Sequence, residues 1–151
     1  MVTLIQREFT VDLPSQGAWD HLARIEQWSS WAPHIKKIEL QPPGDLGPES
    51  TGVIHLTNGM KPVFRVTEFN PPRNWKWIGA FLWLTVIYDH RFEPLDGGHT
   101  KLIFILEAKG LGASILGKLF AWIYSRNLEK AIPLLIAEIE GSEVSKVTPD
   151  S

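Results

Sequence analysis

The 151-residue sequence contains no cysteine, which excludes disulfide bonds, thiolate nucleophiles and cysteine-based zinc sites. No serine lies in a Gly-x-Ser-x-Gly elbow, and the glycine-rich segment 109–117 lacks the Lys-Ser/Thr of a phosphate-binding loop. Histidines are present but scattered, without the paired spacing of metal ligands; they are His21, His34, His55, His90 and His99. We therefore expect no metal and no cofactor.

Basic runs and long apolar runs are also missing. The longest basic stretch is Lys36-Lys37 and the formal net charge is −2, so we expect no nucleic-acid binding, which needs a cationic stripe. The most apolar stretch, 77–87, is far shorter than the roughly 20 residues of a membrane-spanning helix. No basic leader followed by an apolar segment begins the chain. We expect a cytoplasmic protein with no integral membrane segment.

Aromatic side chains are abundant instead. Seven Trp, seven Phe and two Tyr occur in a chain whose length suits a single domain. Such side chains bury large areas and offer flat, polarisable walls. They indicate either a thick core or an apolar pocket, and composition does not choose between the two.

The residue pattern predicts a strand, two short helices, six more strands and one long helix. Asn58-Gly59 and Asp96-Gly97-Gly98 are strong hairpin signals, so the strands form an antiparallel sheet. The predicted strands are 2–12, 35–40, 53–57, 63–69, 75–80, 82–93 and 100–109. The first short helix begins at Pro14, and the second covers 24–30.

Residues 113–140 predict one long helix, bent where Pro133 removes a backbone hydrogen bond. At 100° per residue an apolar stripe forms along one side. Its members are Leu116, Phe120, Ile123, Tyr124, Ala131 and Leu134. This helix is the only element large enough to cover one face of the sheet. A curved sheet around a helix leaves a gap, which is either filled by large side chains or left as a pocket.

Several local segments also occur in the order typical of a known family. They are VDLPSQGAWDHL (11–22), WSSWAP (28–33), VTEFNPPRNWKWIG (66–79), HRFEPLDGGHTKL (90–102) and the closing IAEIEG (136–141). Over nearly its whole length the chain resembles the START-like superfamily, also called SRPBCC, within it the polyketide cyclase/dehydrase and lipid-transport group. The resemblance implies an α+β helix-grip fold, a curved seven-stranded antiparallel sheet wrapped around a long C-terminal helix, with a central hydrophobic cavity. We expect residues 1–141 to form this ligand-binding domain and residues 142–151 a flexible tail.

Three functions are compatible with these observations. The first and preferred one is binding of a hydrophobic or aromatic small molecule, such as a lipid, isoprenoid or polyketide-like compound. The second is a polyketide cyclase or dehydratase that uses acid/base residues in the same cavity. The third is a partner-binding module, for which Trp83 marks an apolar patch. Ile103 and Ile105 mark a second patch that suits a possible homodimer.

The candidate catalytic residues are His90, Tyr88 and Asn127. His90 and Tyr88 share the strand face of Phe92, which should point inward. His90 is either an acid/base group or a core histidine with one hydrogen bond. Asn127 lies within the apolar stripe and bonds either a ligand or a strand backbone or buried water.

The candidate cavity walls come from alternate positions on neighbouring strands and from the long helix. As ligand-binding residues we predict Phe64, Val66, Trp75, Trp77, Tyr88, His90, Phe104, Phe120, Ile123 and Asn127. Glu68 alternates with Phe64 and Val66, so it is either a buried acid with a raised pKa or a solvated strand-end residue. A register error of one residue would invert each of these sets.

Overall fold

The computed structural model describes residues 2–81 and 83–147, with side chains for 2–80 and 83–140. Seven strands, one short α-helix, a six-residue 3₁₀ helix, a three-residue 3₁₀ turn at Asp96–Gly98 and a long C-terminal helix make up the described fold. The strands are β1 (Val2–Val11), β2 (Ile35–Gln41), β3 (Thr51–Leu56), β4 (Val63–Asn70), β5 (Asn74–Phe81), β6 (Leu84–Leu95) and β7 (His99–Lys109). The helices are α1 (Ser15–Leu22), the 3₁₀ helix η1 (Ile25–Ser30) and α2 (Ala113–Val147).

All strands pair antiparallel in one sheet of order β1-β7-β6-β5-β4-β3-β2. The chain is a meander from β2 to β7, and β1 joins its far edge beside β7. The predicted antiparallel sheet with two short helices and one long helix is confirmed.

Turn chemistry explains two of the hairpins. In the β3–β4 turn, Gly59 has φ 92°, a left-handed conformation that glycine adopts without steric cost. Asn58 Oδ1 accepts a hydrogen bond of 2.9 Å from the backbone N–H of Met60. In the β6–β7 turn, Gly97 and Gly98 both have φ 77°. These residues fix the hairpin registers and therefore which side chains face the interior.

The inward face of the sheet carries the predicted aromatic sets. Trp75, Trp77 and His90 are buried, as are Phe92 and Phe104. Gly52 allows this packing, because a Cβ atom there would collide with the ring of Phe64.

One strand departs from simple alternation. A β-bulge between Val66 and Glu68 shifts the register against β5, so Phe69 rather than Glu68 turns inward and packs edge-on against Trp19 at 5.4 Å. Glu68 is exposed and accepts a 2.6 Å hydrogen bond from Asn74 Nδ2. Of the two interpretations of Glu68, the solvated residue is confirmed and the buried acid is wrong, because the extra residue reverses the pleat.

The buried face of α2 is rotated from the predicted stripe. Leu128, Ala131, Leu135 and Ile139 are buried, whereas Leu134 is 49% exposed. Residues 134–136 are all apolar, so neighbouring helix faces look equally hydrophobic and the pattern does not fix the rotation. The assignment of Leu134 to the inner stripe is wrong.

The long helix also extends further than the sequence predicts. It continues through Gly141 to Val147, into the segment expected to be a flexible tail. A glycine inside a helix costs only about 1 kcal/mol relative to alanine, and no proline follows it before residue 149. Residues 148–151 of the predicted tail lie outside the described residues.

Polar contacts hold α2 against the other elements at two points. Arg7 of β1 donates a 2.6 Å hydrogen bond to Ser125 Oγ. Further along, Glu138 accepts from His21 Nε2 at 2.9 Å and from Ser30 Oγ at 2.7 Å. The helix is thereby tied to β1, α1 and η1 together.

The outer face of the sheet offers no apolar patch at Ile103. That side chain is only 6% exposed, because the charged cross-strand neighbours Glu8 and Arg91 project from the same face. The suggestion that Ile103 and Ile105 form an exposed dimer surface is wrong at Ile103.

The rotation of α2 predicts a sharp contrast between adjacent leucines. Leu135→Ala should lower the free energy of unfolding by about 2–5 kcal/mol, because it leaves a cavity in place of a fully buried side chain. The matched variant Leu134→Ala should change it by less than about 1 kcal/mol. Urea denaturation monitored by circular dichroism measures both, and equal losses would contradict the observed rotation.

Candidate functional site

A cavity of about 390 Å³ lies between α2 and the inward face of the sheet. Its walls come from η1 and the segment that follows it, from strands β2 to β7 and from α2. The loop 57–62 contributes Thr57, Asn58, Met60 and Pro62. Most of the side chains that line the whole cavity are apolar or aromatic.

The position of α2 explains the space. The helix packs principally on β1 and β7, and Gly117 lets it approach closely, since a Cβ there would meet Leu4 Cδ2 at 2.9 Å. The sheet continues to β2 on its other side, beyond the reach of a helix that is about 10 Å wide. Trp28 of η1 and Trp31, the residue after η1, enter this region, and the remaining volume is the cavity.

His90 lies within a box of aromatic rings at the cavity wall. Its ring stacks on Trp75 with centroids 4.6 Å apart and an interplanar angle of 19°. Trp77 lies 4.8 Å away and Phe104 5.4 Å away, both edge-on. His90 lines the cavity, and its Nδ1 atom is buried without a hydrogen-bond partner among the described residues.

Burial sets the charge of this imidazole. Desolvation lowers the pKa of His90 to about 3, against an ordinary value of 6.5, and a hydrogen bond involving the Trp75 backbone offsets only part of the effect. His90 is therefore neutral at physiological pH. A neutral imidazole accepts or donates a hydrogen bond, but with so low a pKa it is a weak general base.

Two tyrosines that line the cavity, Tyr88 and Tyr124, add further polar groups to its wall. Tyr88 and Tyr124 have ring centroids 5.7 Å apart, and Phe120 stacks on Tyr124 at 6.2 Å. Burial raises the pKa of both phenols, which keeps them protonated and able to donate hydrogen bonds. Asn127 lines the same space and is half-buried.

A second histidine lies near the loop 57–62. His34 lines the cavity and accepts through its backbone carbonyl a 3.0 Å hydrogen bond from the N–H of Thr57. Its Nδ1 is buried without a partner, and burial lowers its pKa. Among the described residues that line the cavity, none is Asp, Glu, Lys or Arg.

The structure brings most of the predicted site residues together. Eight of the ten line this cavity: Phe64, Trp77, Tyr88, His90, Phe104, Phe120, Ile123 and Asn127. The three catalytic candidates are among them. Ile123 is at the outer edge and 42% exposed.

Val66 and Trp75 do not line the cavity. Both are buried, and Trp75 is covered on its other side by Trp19 of α1, with ring centroids 5.1 Å apart. The prediction that these two residues form part of the cavity wall is therefore wrong, and for Trp75 the reason is that α1 covers that part of the concave face. Trp75 instead lies behind His90 and stacks on its imidazole ring.

Sequence reasoning missed several lining residues. Trp28 and Trp31, three residues apart, and Tyr124, on the predicted apolar stripe of the long helix, carry a sequence signal that is compatible with a cavity wall. Met60 and Pro62 had none, because the path of a loop leaves no periodic pattern.

Neither a metal centre nor a membrane span is visible in the described part of the chain. There, no three His, Asp or Glu side chains cluster closely enough to hold a metal ion. Within residues 2–81 and 83–147 no helix combines the length and apolar character needed to cross a bilayer.

Curved sheet, gripped helix and internal apolar cavity together define a START-like helix-grip protein. The chain belongs to the family described as polyketide cyclase / dehydrase and lipid transport, whose profile matches residues 3–135. No curated protein sequence matches the chain.

Solved structures with the same fold share little sequence with it. A hypothetical protein of Helicobacter pylori has a TM-score of 0.72 at 17% identity, over 88% of this chain and 85% of its own. A START superfamily protein of Mycobacterium smegmatis has a TM-score of 0.67 at 17% identity, over 93% and 99%. The di-domain ARO/CYC protein StfQ of the steffimycin biosynthetic pathway has a TM-score of 0.70 at 14% identity, over 94% of this chain but 52% of StfQ. At these identities the likeness shows the fold alone.

The buried neutral His90 predicts a pH-dependent stability. Unfolding restores its ordinary pKa of 6.5 from the folded value of about 3, so between these values only the unfolded chain binds the proton. The contribution of His90 to the free energy of unfolding is therefore fully present above about pH 6.5 and decreases as the pH falls toward about 3. At pH 5 the loss is about 2 kcal/mol.

Urea denaturation at several pH values measures this effect. His90→Phe and His90→Gln should each shrink the loss of stability between about pH 7 and pH 5 by about 2 kcal/mol. The control His99→Gln removes a histidine whose side chain is 44% exposed and should leave the profile close to that of the unmodified protein. An unchanged profile in both His90 variants would contradict the neutral, buried state.

Proposed function

We propose that the protein binds a hydrophobic or aromatic small molecule, of the lipid, isoprenoid or polyketide-like class, in the cavity between α2 and the sheet. The observation that carries this proposal is an aromatic-walled space of about 390 Å³ inside a domain of this size. Small-molecule sites are concave, mostly apolar and about 300–1,000 Å³ in volume. Membership of a family described by lipid transport and polyketide chemistry supports the same class of ligand.

The charge of the ligand is restricted by the lining. No described lining residue carries a formal charge at neutral pH, since both histidines have lowered pKa values. An ionised group would lose its hydration without gaining a counter-ion. The ligand portion inside the cavity is therefore neutral.

The polar groups that do line the cavity suit hydroxyl or carbonyl groups. His90 Nδ1 is unpaired, and the phenols of Tyr88 and Tyr124 stay protonated. Folding removes the water molecules that hydrogen-bond such a group in the unfolded chain. A ligand oxygen that hydrogen-bonds the buried group replaces that water, so the cavity favours oxygenated over purely hydrocarbon ligands.

A cyclase or dehydratase acting on a polyketide-like substrate is the second candidate. Its support is that Tyr88, His90 and Asn127 line one cavity, as this function requires. The low pKa of His90 argues against proton abstraction by that residue. An enzyme of this kind would act by folding the chain and by hydrogen bonds to its carbonyls. If the His90→Phe variant still turns over a poly-β-ketone, this mechanism is supported, because it does not require His90 as a base. If the variant binds the poly-β-ketone but no longer turns it over, this mechanism is contradicted.

The cavity predicts stoichiometric binding of an apolar fluorescent probe. N-phenyl-1-naphthylamine should bind one molecule per chain and quench tryptophan emission, because Trp28 and Trp77 line the space. Asn127→Trp should weaken binding at least about tenfold by filling the cavity from α2. Fluorescence titration measures both.

The control for this experiment lies on the same helix. Leu134→Trp alters an exposed residue outside the cavity and should bind the probe like the unmodified protein. If both variants bind equally well, the probe is not in the cavity and the proposal fails.

The unpaired His90 nitrogen predicts a preference for a hydroxyl group. The protein should bind 2-naphthol more tightly than naphthalene by about 0.5–1.5 kcal/mol, the net value of one hydrogen bond. His90→Phe should remove this preference while still binding naphthalene. Competition against N-phenyl-1-naphthylamine gives the two affinities, and a preference that persists in His90→Phe would assign the hydrogen bond elsewhere.

A further inference from the structure

Exposed apolar side chains are concentrated at one end of the molecule. In the β2–β7 meander, the β3–β4 turn, the β5–β6 turn and the β7–α2 connection all lie at the same end of the sheet. Of the eleven large hydrophobic side chains that are exposed among the described residues, nine lie at this end or on the adjoining half of α2. They are Val2, Met60, Val63, Trp83, Leu111, Ile115, Leu119, Trp122 and Ile123.

The beginning of α2 is apolar on its outward side as well as its inward side. Leu111 and Ile115 are 88% and 79% exposed, followed by Leu119 at 52% and Trp122 at 59%. Within α2, the spacing of four and three residues puts Ile115, Leu119 and Trp122 on one exposed stripe, and Leu111 lies in the turn just before the helix. Trp83 is 65% exposed and its indole donates a 2.7 Å hydrogen bond to the Leu111 carbonyl. The turn and the helix start thus form one continuous apolar surface, here called the apolar end.

The charges around the apolar end are mainly positive. Segments 57–63, 79–87 and 109–127 contain no Asp or Glu, although the whole chain has a net charge of −2. They contain Lys61, Lys109, Lys118 and Arg126, all exposed, and Arg126 lies over the Trp122 ring at 5.1 Å. Glu107, half-buried opposite Thr3 of β1, is an exception at this end. An apolar surface rimmed mainly by cations complements a partner that is apolar inside and anionic at its boundary.

We propose that the apolar end docks onto the surface of an anionic lipid bilayer. Leu111, Ile115, Leu119 and Trp122 enter the boundary between headgroups and acyl chains, and the lysines contact lipid phosphates and carboxylates. Tryptophan is enriched at this boundary because its ring is apolar and its N–H is polar. A second copy of the chain is the less suitable occupant, since two-fold pairing would oppose two cationic rims.

The docked orientation places the cavity next to the bilayer. Met60, Val63 and Ile123 belong to the apolar end and also line the cavity. A neutral ligand that dissolves in the bilayer would then have a short route between the acyl chains and the cavity. The docking itself does not depend on the proposed ligand binding, because it rests only on exposed side chains and charge.

Vesicle co-sedimentation tests the docking directly. The protein should pellet with vesicles of phosphatidylcholine containing about one-third phosphatidylserine and only weakly with pure phosphatidylcholine. Raising the salt concentration to about 0.5 M should release most of it. Lys118→Glu combined with Arg126→Glu should lower the partition coefficient at least about tenfold.

Two matched variants on α2 separate docking from folding. Leu119→Glu should abolish pelleting, whereas Leu134→Glu, an equally exposed leucine on the same helix outside the apolar end, should pellet like the unmodified protein. Circular dichroism should show both folded. Failure to pellet with either vesicle, equal pelleting with both, or equal behaviour of the two variants would overturn the proposal. Sedimentation velocity showing a dimer that Leu119→Glu dissociates, without vesicle binding, would assign the surface to a second copy.

Discussion

A single helix must cover the concave face of a seven-stranded sheet, and it rests on one side of that face. Gly117 brings α2 close to Leu4 of β1, and Arg7 and Glu138 tie the helix down at two points along its length. The part of the face further from β1 is then covered from the other side by η1. Because protein interiors are otherwise close-packed, the space left between these two covers is a defined feature of the fold.

Aromatic side chains determine what that space does to polar groups. Rings from η1, β5 and β7 surround His90, and the resulting desolvation keeps it neutral. The same desolvation keeps Tyr88 and Tyr124 protonated. The cavity offers hydrogen-bonding groups, but the pKa of His90 is too low for efficient proton abstraction near neutral pH. This property of His90 is the reason that binding, rather than catalysis through His90, is the function proposed first.

The interior and the exterior of α2 have related roles. Its inner face closes the cavity through Phe120 and Tyr124, while its outer face carries Ile115, Leu119 and Trp122 into solvent. A helix that is apolar on all sides is ordinarily buried or at a membrane. The first half of α2 therefore connects the proposed cavity with the proposed bilayer contact.

Much of this arrangement could be predicted from the sequence. Hairpin signals such as Asn58-Gly59 and strict alternation through Tyr88, His90 and Phe92 fixed strand registers and most of the cavity wall. The bulge before Glu68 and the rotation of α2 at Leu134 could not be predicted, because a bulge breaks the period-two pattern and consecutive leucines mark no single face. Alternation also predicts Trp75 as part of the cavity wall, because it gives the direction of a side chain but does not show that Trp19 of α1 covers it.

A crystal structure under xenon pressure tests the central claim most directly, because xenon enters apolar cavities that hold no ordered water. The account predicts xenon bound between α2 and the sheet, in contact with Trp28, Phe64 and Trp77. A space filled by side chains, or by ordered water bonded to His90 and Asn127 with no xenon present, would contradict it.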